Sequence, residues 1–248
     1  MNRESAPPAA QSTPRSPWPK GVRCLLLPGL AADGRLFTPQ LSAIAGSAVL
    51  PWIEPEGREP LERYARRLAG RLGPAPGPFV LAGFSFGGQV ALEMAQWMDP
   101  APAGIVLICG VRGREQFTRT FKTQQALGGL LPDALHRRLY GPMARAFARR
   151  CELGPAHAAT LVDMATANRP AFLKWAAWAC NGWGCRPNLT VAGRTIPVRH
   201  IHGERDQVIP DPADRADRTI PGAGHLITWT HADEVNRFIA EALDDWGV

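Results

Sequence analysis

The chain has 248 residues, 45% of them hydrophobic and 20% charged, with a formal net charge of +6. That length can bury one sizeable core and suits one α/β domain carrying an insertion better than two independent domains. No run of about 18 or more apolar residues occurs, so no membrane span is expected.

The start, Met1-Asn2-Arg3-Glu4-Ser5, lacks the apolar segment of an export signal. Residues 1–20 hold Pro7, Pro8, Pro14, Pro17 and Pro19 and are expected to form a disordered tail. Val22 to Leu27 is an apolar run stopped by Pro28-Gly29, the pattern of a buried strand ending in a loop. Leu36, Phe37, Leu41 and Ile44 then repeat at helical spacing. Ala48 to Trp52 reads as a second strand with an irregular end at Pro51. Leu61 to Leu72 is amphipathic and terminates at Gly73-Pro74.

Phe79 to Ala82 is a third short apolar run, and Phe86 to Trp97 has helical spacing at Val90, Ala91, Met94 and Trp97. Between them lies Gly83-Phe84-Ser85-Phe86-Gly87, a G-x-S-x-G pattern. On a strand–turn–helix, such a serine has strained backbone angles and projects its hydroxyl from the carboxyl edge of the sheet. The following helix aims its free N–H groups at the same spot, which favours developing negative charge.

Ile105 to Cys109 is the next buried strand. Strand–helix alternation with continuous apolar strands implies a parallel sheet covered on both faces. Residues 112–185 break that rhythm with helical periodicity, as at Leu127, Leu130 and Leu131 and at Phe147, Leu161 and Met164. They are expected to form a helical cap over the carboxyl edge, between core segments 21–111 and 186–248. Phe172, Trp175 and Trp178, at three-residue spacing, are either helix-packing core or a substrate wall. Ile196 to Ile201 restores a strand, ending at His202-Gly203, with a loop containing Asp206 after it. Arg218-Thr219-Ile220 is a weak last strand, followed by Pro221-Gly222-Ala223-Gly224-His225 and an amphipathic helix from His231 to Trp246.

The charge is uneven. Between Arg112 and Arg150 lie nine positive residues against only Glu115 and Asp133. That stretch is either a solvated helix face or a docking face for an acidic partner. No nucleic-acid motif accompanies it. The five cysteines are odd in number, show no metal-ligand spacing and are expected to be reduced, in the cytoplasm. Neither a metal nor a cofactor is expected.

Ser85, Asp206 and His225 thus fall in chain order at strand ends, the last two 19 residues apart. Asp211, Asp214 and Asp217 compete for the acid's place, and His231, His200 and His202 for the histidine's. With Pro28-Gly29-Leu30, the Gly83 to Gly88 elbow, His202-Gly203-Glu204-Arg205-Asp206 and Gly222-Ala223-Gly224-His225, the chain resembles the α/β-hydrolase superfamily over roughly residues 21–246. The resemblance implies a mostly parallel sheet with helices on both faces; the family's usual first two strands are absent or lost in the proline-rich start, which leaves about six. It also implies a Ser85–His225–Asp206 triad and an oxyanion hole from the backbone N–H groups of Phe86 and Leu30. The early loop reads Pro28-Gly29 where the family often has His-Gly, but the donor there is a backbone group.

The chemistry needs each residue type. A serine hydroxyl is a poor nucleophile until a base takes its proton, imidazole can take and return it near neutral pH, and the acid holds the ring's tautomer. The function implied is hydrolysis of a carboxylic ester or thioester through an acyl-enzyme, on a small molecule or an acyl group held by an acidic carrier protein. A non-hydrolytic ligand-binding protein or lyase on the same fold, or an interaction module using the basic helices, stands as the alternative.

Overall fold

The computed structural model describes residues 18–113, 116, 117, 119, 122, 123, 131–184, 189–210 and 216–248. The tail up to residue 17, and Arg114, Glu115, Leu127, Leu130, Cys185, Asp211 and Asp214, lie outside them.

The strands are β1 (Cys24–Leu27), β2 (Ser47–Val49), β3 (Val80–Phe84), β4 (Gly104–Ile108), the short β5 (Thr190–Val191) and β6 (Arg194–Thr195), β7 (Val198–Gly203) and β8 (Arg218–Ile220). The helices are α1 (Thr38–Ala43), α2 (Leu61–Leu72), α3 (Phe86–Met94), α4 (Asp133–Arg150), α5 (Pro155–Ala167), α6 (Pro170–Gly182), α7 (Ile227–Thr230) and α8 (Ala232–Asp245). A six-stranded sheet runs β2-β1-β3-β4-β7-β8, with every neighbouring pair parallel. Parallel strands joined by crossovers put their carboxyl ends on one edge.

The continuous apolar strands are buried on both faces, and side-chain alternation divides them between two cores. Leu25, Leu27, Leu81, Ile105 and Leu107 pack with α2 and α3 residues such as Tyr64, Leu68, Val90 and Met94. Cys24, Leu26, Val80, Ala82, Val106 and Ile108 pack on the other face with Phe37, Val235, Phe238 and Ile239. The amphipathic stripes of the second and last helices are what cover the sheet.

Three local features depart from the sequence reading. The helix expected after the first loop begins as a 3-10 turn at Gly34–Phe37, because the Asp33 side chain accepts from the Arg35 N–H and tightens the start. Thr190 to Thr195 forms an antiparallel hairpin outside the main sheet, turning at Ala192 and Gly193, both at positive φ. Two-residue strands carry no readable periodicity. The end of the expected tail is packed: Trp18 is buried, edge-on to Phe79 at 4.9 Å, and its indole N–H donates to the Gly73 carbonyl at 3.2 Å.

Helices α4 to α6 stand between β4 and β7 in sequence and touch the loops at the carboxyl edge. The Trp175 indole N–H donates to the Glu59 carbonyl at 2.8 Å. Arg169 pairs with Glu54 at 3.1 Å, and the Asp33 N–H reaches the Met164 sulfur at 3.5 Å.

Candidate active site

Ser85 sits between β3 and α3 at φ 52°, ψ −118°, a left-handed conformation that costs energy for a non-glycine residue. The flanking glycines permit it. A Cβ on Gly83 would lie 2.4 Å from the Gly87 carbonyl oxygen, and one on Gly87 only 2.2 Å from that of Leu27. Strand, turn and helix approach so closely that no side chain fits there. The Ser85 N–H donates to the Ile108 carbonyl at 2.9 Å, tying the turn to β4.

The other two residues arrive from β7 and β8. The His225 Nδ1 lies 2.6 Å from Asp206 Oδ2, in a buried contact. The other carboxylate oxygen, Oδ1, accepts from the N–H groups of Val208 and Ile209 at 2.8 and 2.9 Å. A carboxylate only accepts, so Nδ1 carries the hydrogen and Nε2 is left as the basic nitrogen. Burial raises the Asp206 carboxyl; the neighbouring His225, its hydrogen bond, the Ile209 amide and His202 outweigh it and hold the group below its ordinary value. The His225 ring lies 4.9 Å from the Phe84 ring, which brings it beside the elbow. From α4, Phe147 approaches His225 to 6.2 Å, and Arg150 donates to the Gln207 side chain in the acid's loop at 3.0 Å.

Phe86 opens α3, where the first N–H groups have no acceptor within the helix. Leu30 follows Gly29, whose Cβ, if present, would stand 3.5 Å from the Ser85 Cβ. The loop turns at Ala31, φ 62°, with the Ala32 N–H donating to the Gly29 carbonyl at 3.2 Å. It thus passes directly beside the serine.

The three aromatic residues of α6 divide. Phe172 and Trp175 are buried and join Trp52, Tyr64 and Phe86 in one ring cluster, with Trp175 6.2 Å from Phe86. Trp178 is only half-buried and lies under the Arg58 guanidinium at 5.2 Å. None of the three lines the cavity of about 260 Å³ formed by Pro28, Asp33, Gly34, Val49, Trp52 and Asn168 beside the Gly29 loop. A cleft of about 340 Å³ between α1 and α8 contains no residue of the expected site.

The competing residues have other partners. Asp217 accepts from the His200 N–H at 2.6 Å and pairs with Arg112 at 3.4 Å. His231 meets the Thr230 hydroxyl at 2.9 Å. Two neighbours of Asp206, His202 at its strand end and Cys109, were not expected from the sequence to support the acid. His202 Nε2 is 3.3 Å from Oδ2, and Cys109 offers its sulfur within 4.8 Å of the Asp206 oxygen and the His225 nitrogen. Burial first, and Asp206 second, push the Cys109 thiol well above its ordinary value. Sulfur, oxygen and nitrogen at those separations suit zinc in type, but the oxygen and nitrogen are already joined by a hydrogen bond. The signal for His202 was its place on β7, two residues from His200 and so on the same face.

The comparisons agree with this architecture. A family model described as "Alpha/beta hydrolase family" matches residues 9–238. No curated protein matches the chain in sequence. Among solved structures, a thermophilic esterase from Thermogutta terrifontis is similar at TM-score 0.69 and 20% identity, covering 92% of this chain and 91% of that one. An enol-lactonase from Burkholderia xenovorans LB400 is similar at TM-score 0.68 and 16% identity, covering 90% and 92%. MenH from S. aureus follows at TM-score 0.65 and 17% identity, covering 92% and 95%. These likenesses concern the fold; the family match spans nearly the whole chain, elbow and histidine included. A parallel six-stranded sheet, a strained serine elbow and that match together make the chain a member of the alpha/beta hydrolase family.

Proposed function

We propose that the protein is a serine hydrolase that cleaves a carboxylic ester or thioester through an acyl-enzyme. The observation that carries the reading is the buried 2.6 Å His225–Asp206 contact beside the strained Ser85 turn. Ser85 Oγ attacks the acyl carbon while His225 Nε2 takes its proton. The N–H groups of Phe86 and Leu30 receive the oxyanion, and Asp206 stabilises the imidazolium. Collapse expels the alcohol or thiol, which takes its proton from Nε2. Water then repeats the sequence on the acyl-enzyme and restores Ser85.

Esterases and lactonases among the structural neighbours support hydrolysis as the reaction class. Helices α4 to α6 act as the cap in this reading, supported by Phe147 and Arg150 at the acid–base pair. Among the described residues no helix is long and apolar enough to cross a membrane. The free thiols of Cys24, Cys109, Cys151 and Cys180 fit a cytoplasmic location.

The test is labelling with a fluorophosphonate, then a panel of short and long acyl esters and thioesters. Wild type should label and turn over; Ser85→Ala should do neither. Persistent labelling of that variant sinks the assignment. Tight, saturable binding with negligible turnover would favour a non-hydrolytic ligand-binding protein instead.

One observation favours a carrier-bound substrate. Arg137, Arg138, Arg145 and Arg149 are exposed along α4, the helix whose end reaches the acid–base pair. Neutralising Arg137, Arg138 and Arg149 should raise KM for an acyl-carrier-protein substrate at low salt and leave a small ester unaffected. No difference between the two substrates would remove the carrier protein from the proposal.

A further inference from the structure

Behind the Asp206–His225 pair lies a second line of buried groups that the mechanism above does not use. His200 and His202 are both fully buried, on the same face of β7. His200 Nε2 lies 3.0 Å from His202 Nδ1, with the rings perpendicular. His202 Nε2 lies 2.8 Å from the Ile209 carbonyl oxygen and 3.3 Å from Asp206 Oδ2.

The carbonyl settles the direction of this chain. It can only accept, so His202 carries its hydrogen on Nε2. In the tautomer with its one hydrogen on Nε2, His202 Nδ1 is an acceptor, and His200 Nε2 is then the donor. Both ring dipoles then point their positive ends toward Asp206, and hydrogen bonds in series polarise one another.

His202 also closes a ring with the acid's loop. It donates to the carbonyl of Ile209, while the N–H of Ile209 donates to Asp206 Oδ1 at 2.9 Å. One imidazole therefore holds both ends of the segment that presents the carboxylate. The other groups facing Asp206 are the Cys109 thiol from the end of β4, His225, and the Cys151 thiol at the end of α4. Behind His200 stands Asp217, itself paired with Arg112.

We propose that His202, oriented by His200, is a positioning residue for the reaction: its Nε2–H holds the Asp206 loop so that Oδ2 meets His225 Nδ1. The inference rests on the triad reading given above. It adds a residue that touches neither substrate nor the reacting atoms and acts only through the acid.

A matched pair of substitutions separates this from mere packing. His202→Gln places an amide N–H near the Nε2 position and keeps the donor. His202→Asn places it at the Nδ1 position and leaves Asp206 and Ile209 without it. Two readouts are taken on each: kcat and KM for an ester, and the downfield proton resonance of the His225 Nδ1–H. The Asn variant should lose about tenfold or more in kcat with KM within about twofold, and its resonance should shift or broaden. The Gln variant should stay within about threefold of wild type and keep the resonance. Equal losses in both variants, or an unchanged Asn variant, overturn the proposal. Should His202→Asn fail to fold, His200→Asn is read in the same spectrum, where an unmoved resonance overturns the orienting chain. A wild type that shows the resonance but neither labels with fluorophosphonate nor turns over would overturn the hydrolytic reading. The coupling would still be decided by the spectrum.

Discussion

The serine elbow and the helices α4 to α6 stand on the same edge of the sheet but are held in opposite ways. At the elbow, backbone packs on backbone: a single Cβ on Gly87 would stand 2.2 Å from the Leu27 oxygen and 2.4 Å from that of Pro28. The helices pack on the core through side chains: Phe172, Leu173, Trp175, Ala176 and Ala179 of α6 belong to the same buried cluster as Tyr64, Leu68 and Val90. Trp175 reaches the Glu59 carbonyl, and the Trp183 indole N–H donates to buried Glu93 at 2.7 Å. Their outer surface even leaves Leu135 and Met143 exposed. A backbone-packed turn has no room for any side chain, whereas a side-chain interface can exchange residues of similar volume without moving the backbone that carries Ser85. The two regions therefore answer differently to substitution: the elbow through its backbone, the helices through their side chains.

The sharpest way to break that contrast is at the elbow. Gly87→Ala should destabilise the protein by roughly 3 kcal/mol in urea unfolding, through overpacking against β1. It should also lower kcat at least about a hundredfold, because the Pro28–Leu30 loop is pushed from the serine. An Ala variant with wild-type turnover would show that the contact is not tight. Asp206→Asn should next lower kcat by about ten-thousandfold while binding persists, since the amide no longer holds the His225 tautomer. Kinetics on a single ester checks this against the folding of the variant.

On the helical side the expected effects are smaller. Trp183→Phe removes one donor from a buried carboxylate and should cost about 1–3 kcal/mol of stability. The elbow should be undisturbed, so fluorophosphonate labelling should proceed at the wild-type rate. Slowed labelling would mean that the anchors of the helices also set the geometry of the serine. The mildest effect concerns acid. The Asp206 carboxyl is held below its ordinary value, so its anion stabilises the fold. That contribution is complete above the unfolded value of about 4 and fades as the pH falls through the lower folded value. The gap in urea midpoint between wild type and Asp206→Asn should therefore be full at pH 7 and narrow below about pH 4.

The elbow was legible because it is local. Gly83, Ser85 and Gly87 lie within five residues, between an apolar run and a helical pattern, and each residue type has a steric reason to be there. Asp206 and His225 were legible as strand-end residues once the strands were placed. The support of Asp206 was not. His202 meets it across the end of β7, and Cys109 comes to it from the end of β4, 97 positions earlier in the chain. Trp178 shared a helical stripe with Phe172 and Trp175, yet α6 turns it toward Arg58 while Trp175 reaches Tyr64, with ring centres 4.3 Å apart.

The sequence by itself therefore determined the alternation of strands and helices, the parallel sheet, and the serine, acid and histidine at its carboxyl edge. Short-range sterics and hydrophobic periodicity act within a few residues and can be read there. Only the tertiary structure decided which aromatic rings cluster under Phe86, where the cavity opens, and which groups surround the acid. Apart from His202, four positions before the acid, those are contacts between elements far apart in the chain. Their geometry depends on how the sheet twists and how the helices dock upon it, and no local pattern encodes that.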